Sequence, residues 1–197
     1  MVGRVDVRGD LNVHVCDTEP YPWPYDDRLV GEHLALVLAG WDDEWVSRAL
    51  DVSSARANCM LLARAVRARG GRVLGVAHRG ATALPLLRPG LVVTADGFDA
   101  FHGGPLDGIL RRDRRTHLLV AGFGLEGPVH STLRSANDRG YECLLVSDAT
   151  APLSTTLADA AVKTVTMSGG IFGAVGTTEA AAAALHDLPI PSNLQEI

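Results

Sequence analysis

The feature that most constrains this chain is a repeated switch between short apolar runs and helix-like stretches. Residues 34–39 read LALVLA, and residues 72–76, 91–93, 117–120, 142–146 and 163–166 are short runs of a similar kind. Continuous apolar runs of this length, with β-branched content, suit strands covered on both faces. Between them lie helical patterns. Residues 56–69 are rich in Leu, Ala and Arg and stop at Gly70-Gly71, a helix-ending pair. Pro105 opens a helix over 106–112, residues 129–139 end at Gly140, and residues 177–185 form a last helix. Strands alternating with helices predict βαβ units with right-handed crossovers, hence a parallel sheet in an α/β, Rossmann-like three-layer sandwich. A chain of 197 residues holds one such domain. The stretch EPYPWPYDD (19–27) contains three prolines, which forbid a helix and favour an extended arm. The expected division is an N-terminal arm over 1–33 and an α/β domain over 34–197.

Charge narrows the function classes. Eighteen basic and 23 acidic residues give a net charge of −5, so a basic face for nucleic acid is not expected. Arg111, Arg112, Arg114 and Arg115 read as the solvated end of a helix. No apolar run approaches the roughly 18 residues of a membrane span, and MVGRVDVRGD lacks the apolar core of a signal peptide. The expectation is a soluble, cytoplasmic domain without membrane contact. Cys16, Cys59 and Cys143 form neither a disulfide framework nor a metal motif, and each reads as a small core residue.

Gly122-Phe-Gly124-Leu-Glu-Gly127 spells GxGxxG after a strand and before a helix, with Asp148 after the next strand. That spacing fits a dinucleotide cradle, whose amides hold a pyrophosphate at a helix N-terminus. Against it, at least three strands precede the motif, and Pro128 removes an amide from the opening turn.

A second pattern spans nearly the whole chain. PYPWPYDDRL followed by LALVLAGWDDEW, then GFDAFHGGPLDGILRR, then HLLVAGFGLEGPVHSTLRSANDRGYECLLVSDATA, and finally SGGIFGAVGTTEA resemble successive segments of the isochorismatase-like cysteine hydrolases. The likeness is to the biuret-hydrolase and carbamoylsarcosine-amidase-like branch. It implies a six-stranded parallel sheet flanked by helices, usually assembled as dimers or tetramers. It also implies a triad: an Asp base, a Lys that balances charge, and a Cys at a helix N-terminus, where the thiol pKa is lowered. Carried over by position, these three fall on Gly40, Ala95 and Pro128, and the glutamine beside the Asp falls on Asp42. Proline at the last position removes both the thiolate and an oxyanion-hole N–H, a donor worth about 3–4 kcal/mol in the transition state. Residues 13–17 (VHVCD) also resemble a strand ending in an acid, but the proline-aromatic arm follows Asp17, whereas in the family it precedes the catalytic strand.

The resemblance gathers Trp41, Asp42, His78, Asp96, Phe98, Glu126 and His130 around the old pocket. Asp42 and Asp96 are expected to face solvent with little positive charge nearby, and Glu126 to act as a cap. No HxH or DxH spacing makes Asp42, His78 and Asp96 a metal site, and no cofactor is expected. The relatives' lid segments are shortened here around residues 80–89. In relatives the bond corresponding to Phe123–Gly124 is commonly cis, and the resemblance implies the same here. Tyr21, Trp23 and Tyr25 read as packing anchors, with Trp23 and Phe172 expected near an intersubunit contact. The leading expectation is a degenerate hydrolase homologue, a partner, scaffold or small-molecule-binding subunit in a homo-oligomer or beside an intact homologue. The alternatives are a repurposed enzyme using Asp42, Glu126 or His130 as acid–base groups, and dinucleotide binding through Gly122, Gly124 and Gly127.

Overall fold

Strand β1 (Leu34–Ala39) is buried at every residue, as an unbroken apolar run requires when helices cover both sheet faces. The computed structural model describes residues 13–26, 28–86 and 90–192. Around β1 lie β2 (Arg72–His78), β3 (Leu91–Ala95), β4 (His117–Phe123), β5 (Glu142–Ala151) and β6 (Ala174–Gly176). They form one six-stranded sheet in the order β3-β2-β1-β4-β5-β6, parallel throughout. The helices are α1 (Asp43–Arg48), α2 (Val52–Arg67), α3 (Leu106–Arg112), α4 (His130–Asp138), α5 (Thr155–Gly170) and α6 (Thr178–Asp187). Alternation along β1 divides the core. Leu34, Leu36 and Leu38 pack with residues of α2 and α6, whereas Ala35, Val37 and Ala39 pack with residues of α3, α4 and α5. The strand order reverses between β1 and β4. A crevice therefore opens beyond the carboxyl ends of these strands, the usual ligand position in an open α/β sheet.

The expected strand over 163–166 is instead part of α5, and the sixth strand is Ala174–Gly176. Val162, Thr164, Val165 and Thr166 have β propensity, but propensity is a weak prior. The crossover from β5 to β6 needs a helix, and the Ala-rich run supplies it. The chain then turns through Ser168 and Gly169, both at positive φ.

Described residues of the arm pack into the core. Val13, Val15, Trp23 and Leu29 are buried in the same cluster as α2 and α6. Glu19 exchanges two backbone hydrogen bonds with Val175, at 2.9 and 2.8 Å, and so pairs with the outer edge of β6. Trp23 is fully buried and meets His117 edge-on at 5.8 Å. Its own chain covers Trp23, which serves as a packing anchor of the arm. Cys16 is also corrected, because it is exposed. Val13 and Val15 take the inward positions, and strand alternation turns residue 16 outward. The arginine cluster is only partly a solvated helix end. Arg115 is half-buried and donates to the carbonyls of Glu32 and, at 3.0 Å, Gly70, tying the starts of β1 and β2 together. Asp27 and residues 87–89 of the shortened lid segment lie outside the described residues.

Candidate functional site

The crevice is built from four strand ends. Beyond β1, Gly40 takes φ +61 and sends Trp41 and Asp42 in different directions. Trp41 is fully buried and stacks on Phe123 at 5.1 Å, so it is a core residue on the α2 side. Asp42 is also fully buried, which corrects its expected solvent-facing position. Its Oδ1 accepts the Trp45 N–H at 3.1 Å, capping α1, and its Oδ2 accepts the His78 N–H at 2.8 Å. Both carboxylate oxygens thus hold backbone: the start of α1 is tied to the end of β2.

Beyond β3, Asp96 pairs with Arg79, the residue after β2. The Arg79 guanidinium holds the Asp96 carboxyl below the usual carboxylate range, chiefly through that hydrogen bond. The expectation of little positive charge beside Asp96 is corrected by this arginine. Sequence reasoning missed it because the parallel register His78↔Ala95 brings residues 79 and 96 together, and nothing local announces that pairing. Among the described residues, no group of three or more His, Cys, Asp or Glu side chains converges as a metal site.

Beyond β4, Gly124 sits at φ +77 and a wide five-residue turn, Leu125–Val129, leads into α4. The N–H groups of Gly127 and Val129 both return to the Gly124 carbonyl, at 3.1 and 3.2 Å. Pro128 occupies the turn rather than the first position of the regular helix, which begins at His130. The expected cis bond between Phe123 and Gly124 is corrected: the cis bonds of the described residues precede Pro20 and Pro24. The left-handed backbone of Gly124 makes the turn with a trans bond, avoiding the roughly 2.5–4 kcal/mol of a non-proline cis peptide.

Glu126 accepts the N–H groups of Leu153 and Ser154, at 2.8 and 3.0 Å, at the start of α5. His130 packs edge-on against Phe172 at 6.0 Å, away from the crevice, and burial followed by the nearby Arg134 lowers its pKa. Asp42, Glu126 and His130 therefore do not converge as an acid–base set. The thiols are equally remote from chemistry. Cys59 donates to the Ala149 carbonyl at 3.1 Å, with burial pushing its pKa up to about 12. Burial also pushes the Cys143 thiol up. Asp17 is exposed on the arm.

Gly40, Ala95 and Pro128 do come together. They line one cleft with Trp45, His78 and Phe98, and its free volume is about 10 Å³, roughly one water molecule. The indole of Trp45 lines this cleft from the α1 side. It is 3% exposed and meets Phe98 edge-on at 5.1 Å. A Cβ on Gly124 would fall 2.9 Å from Trp45 Cε3, and one on Gly127 would fall 3.4 Å from Cη2. Sequence reasoning missed Trp45. The signal was Asp42, whose side chain at the N-cap fixes Trp45 three residues later, inside the first turn.

The same contacts decide the GxGxxG motif. A Cβ on Gly122 would fall 2.1 Å from the Ala39 carbonyl oxygen, so this glycine permits close approach of β4 to β1. Gly124 and Gly127 lie under the Trp45 ring, where a pyrophosphate would need space. Asp148 Oδ1 accepts the Thr178 N–H and hydroxyl, at 2.7 and 2.9 Å. The dinucleotide reading is therefore corrected: protein fills the cradle, and the ribose acid is engaged in starting α6.

An isochorismatase domain model matches residues 35–180. The chain belongs to the isochorismatase family. Solved structures agree on the fold. A cysteine hydrolase from Pseudomonas syringae pv. phaseolicola 1448A is similar at TM-score 0.72 and 15% identity, over 80% of this chain and 94% of that one. An isochorismatase family protein from Burkholderia thailandensis is similar at TM-score 0.67 and 26% identity, over 79% and 96%. A nicotinamidase from Staphylococcus aureus is similar at TM-score 0.63 and 16% identity, over 74% and 99%. No helix among the described residues is long and apolar enough to cross a membrane.

Proposed function

We propose that this member of the isochorismatase family is non-catalytic and serves as a partner, scaffold or small-molecule-binding subunit, in a homo-oligomer or beside an intact homologue. One observation carries the reading. The cleft lined by Gly40, Ala95 and Pro128 offers no carboxylate base, ammonium or thiol at those positions, and its free volume is about 10 Å³. A cysteine mechanism needs a thiolate at the site, and the buried thiols of Cys59 and Cys143 lie elsewhere. The side chains of Asp42 and Glu126 are engaged by two backbone N–H groups each, which supports a structural role for both.

The test is ammonia release from biuret, nicotinamide and a simple aliphatic amide, with and without prior thiol alkylation. No turnover above buffer is expected. Turnover abolished by alkylation would overturn the proposal. The subunit role is tested by recovering the tagged chain from its own cells and sedimenting it. Self-association or a co-purifying homologue carrying the intact triad is expected, and a strict monomer without such a homologue refutes that role.

A further inference from the structure

We propose that a second copy of this chain docks, across a two-fold axis, where the N-terminal arm lies against the turn before β6. The inference rests on the subunit reading above and gives its homo-oligomeric form a surface.

The patch is assembled from two segments far apart in sequence. Glu19 pairs with Val175 at the outer edge of β6, which lays residues 20–25 beside the turn at 168–173. The join is close. A Cβ on Gly170 would fall 2.7 Å from Tyr21 Cε1 and 3.1 Å from Pro20 Cγ, so the absence of a side chain there lets the arm approach. Tyr21 meets Tyr25 edge-on at 5.4 Å, and the Ile171 N–H donates to the Met167 carbonyl at 3.0 Å. The surface along this line is apolar. Tyr25 is 76% exposed, Met167 50% and Ile171 46%, with Pro20 and Pro22 exposed beside them. Contiguous exposed apolar surface marks an interaction site, and Tyr and Met are enriched in protein interfaces. The patch is also held in shape. Proline fixes φ along the arm, and Glu142 Oε1 accepts the Tyr21 hydroxyl and the Tyr25 N–H at 3.4 and 3.2 Å. Docking therefore has little left to order.

Charge around the patch selects the occupant. On the arm side stand Glu19 and Asp26, both exposed. On the helix side stand Arg134, over the Phe172 ring at 4.5 Å, and Lys163, one turn before Met167. Among the described residues neither of these two cations has an ion-pair partner. A two-fold contact sets one surface against itself, so it exchanges the two sides of the patch. The acidic side of each copy then faces the basic side of the other, twice, around an apolar centre. This chain carries both halves of that complementarity itself. Because both copies use the same patch, the assembly closes at a dimer.

Sedimentation over the micromolar range should show a concentration-dependent dimer, weakened by added salt because the flanking charges are exposed. Ile171→Asp puts a carboxylate at the centre of the patch and should weaken the dimer at least about tenfold, with the far-ultraviolet circular dichroism unchanged. Charge reversal reads the symmetry directly. Glu19→Lys with Asp26→Lys reverses the acidic side, and Arg134→Glu with Lys163→Glu reverses the basic side. Each reversed chain alone should stay monomeric, and an equimolar mixture of the two should dimerise, since both contacts are complementary again.

A dimer that survives Ile171→Asp and both reversals would overturn this surface while leaving the subunit reading in place. A mixture that stays monomeric has the same force, and it decides alone if Ile171→Asp does not fold. A strict monomer of the unsubstituted chain also overturns the proposal. A co-purifying intact homologue would then preserve the subunit reading, and its absence would end both. Amide turnover would defeat the non-catalytic reading without altering any of these sedimentation results.

Discussion

Replacing Asp42 with alanine tests whether its carboxylate is structural or held ready for chemistry. The side chain is fully buried and accepts two backbone N–H groups, from Trp45 at 3.1 Å and His78 at 2.8 Å. Loss of the helix cap costs about 1 kcal/mol. The His78 N–H is left without its acceptor, and a buried donor so orphaned costs about 1–3 kcal/mol. The expected destabilisation is therefore about 2–4 kcal/mol. At about 2–4 °C per kcal/mol for a chain of this size, the melting midpoint falls by about 4–16 °C. Asp42→Asn keeps one acceptor oxygen and should lose about half as much. Urea unfolding followed by far-ultraviolet circular dichroism reads both variants, with an unchanged m-value showing that only stability moved. A neutral or stabilising Asp42→Ala, within about 0.5 kcal/mol of the unsubstituted chain, would refute the reasoning. Asp42 would then be a surplus buried charge, as an acid–base group would be.

Two further outcomes follow from the thiols and the Arg79 pair. Ellman's reagent should titrate one thiol in the folded chain, exposed Cys16, and three after unfolding, because Cys59 and Cys143 are buried with raised pKa values. Rapid labelling of a second thiol under native conditions would contradict that packing. Carboxyl NMR should place the Asp96 midpoint below the ordinary value of about 3.9, and Arg79→Gln should move it back up. A depressed carboxylate contributes stability above its unfolded pKa and loses it as pH falls through the folded value, so whatever this pair contributes is present at neutral pH and is lost only in acid. An Asp96 midpoint insensitive to Arg79→Gln would show that the pair does not persist in solution.

The sheet was legible in the sequence because burial on both faces leaves a local trace. Five of the six strands coincide with apolar runs visible in one dimension, and the PVHSTLRSANDRGYECLLVSDATA stretch is the most specific of the segments that carry the family resemblance. The error at residues 163–166 shows where local reading fails. β-branched residues sit in a helix there because a crossover between two parallel strands has to be covered, and that demand comes from the sheet. Side-chain alternation was also local, yet Cys16 was misplaced because its inward neighbours are set by contact with distant helices. The site is a matter of register. Gly40, Ala95 and Pro128 were named from resemblance, but their meeting depends on β1, β3 and β4 ending at one level. The partners that give the cleft its character, Trp45 above the glycines and Arg79 beside Asp96, follow no sequence periodicity. The sequence determined which segments must be buried, since hydrophobicity is a property of each residue. Only the tertiary structure decided what fills the crevice, since that depends on which strand ends lie side by side.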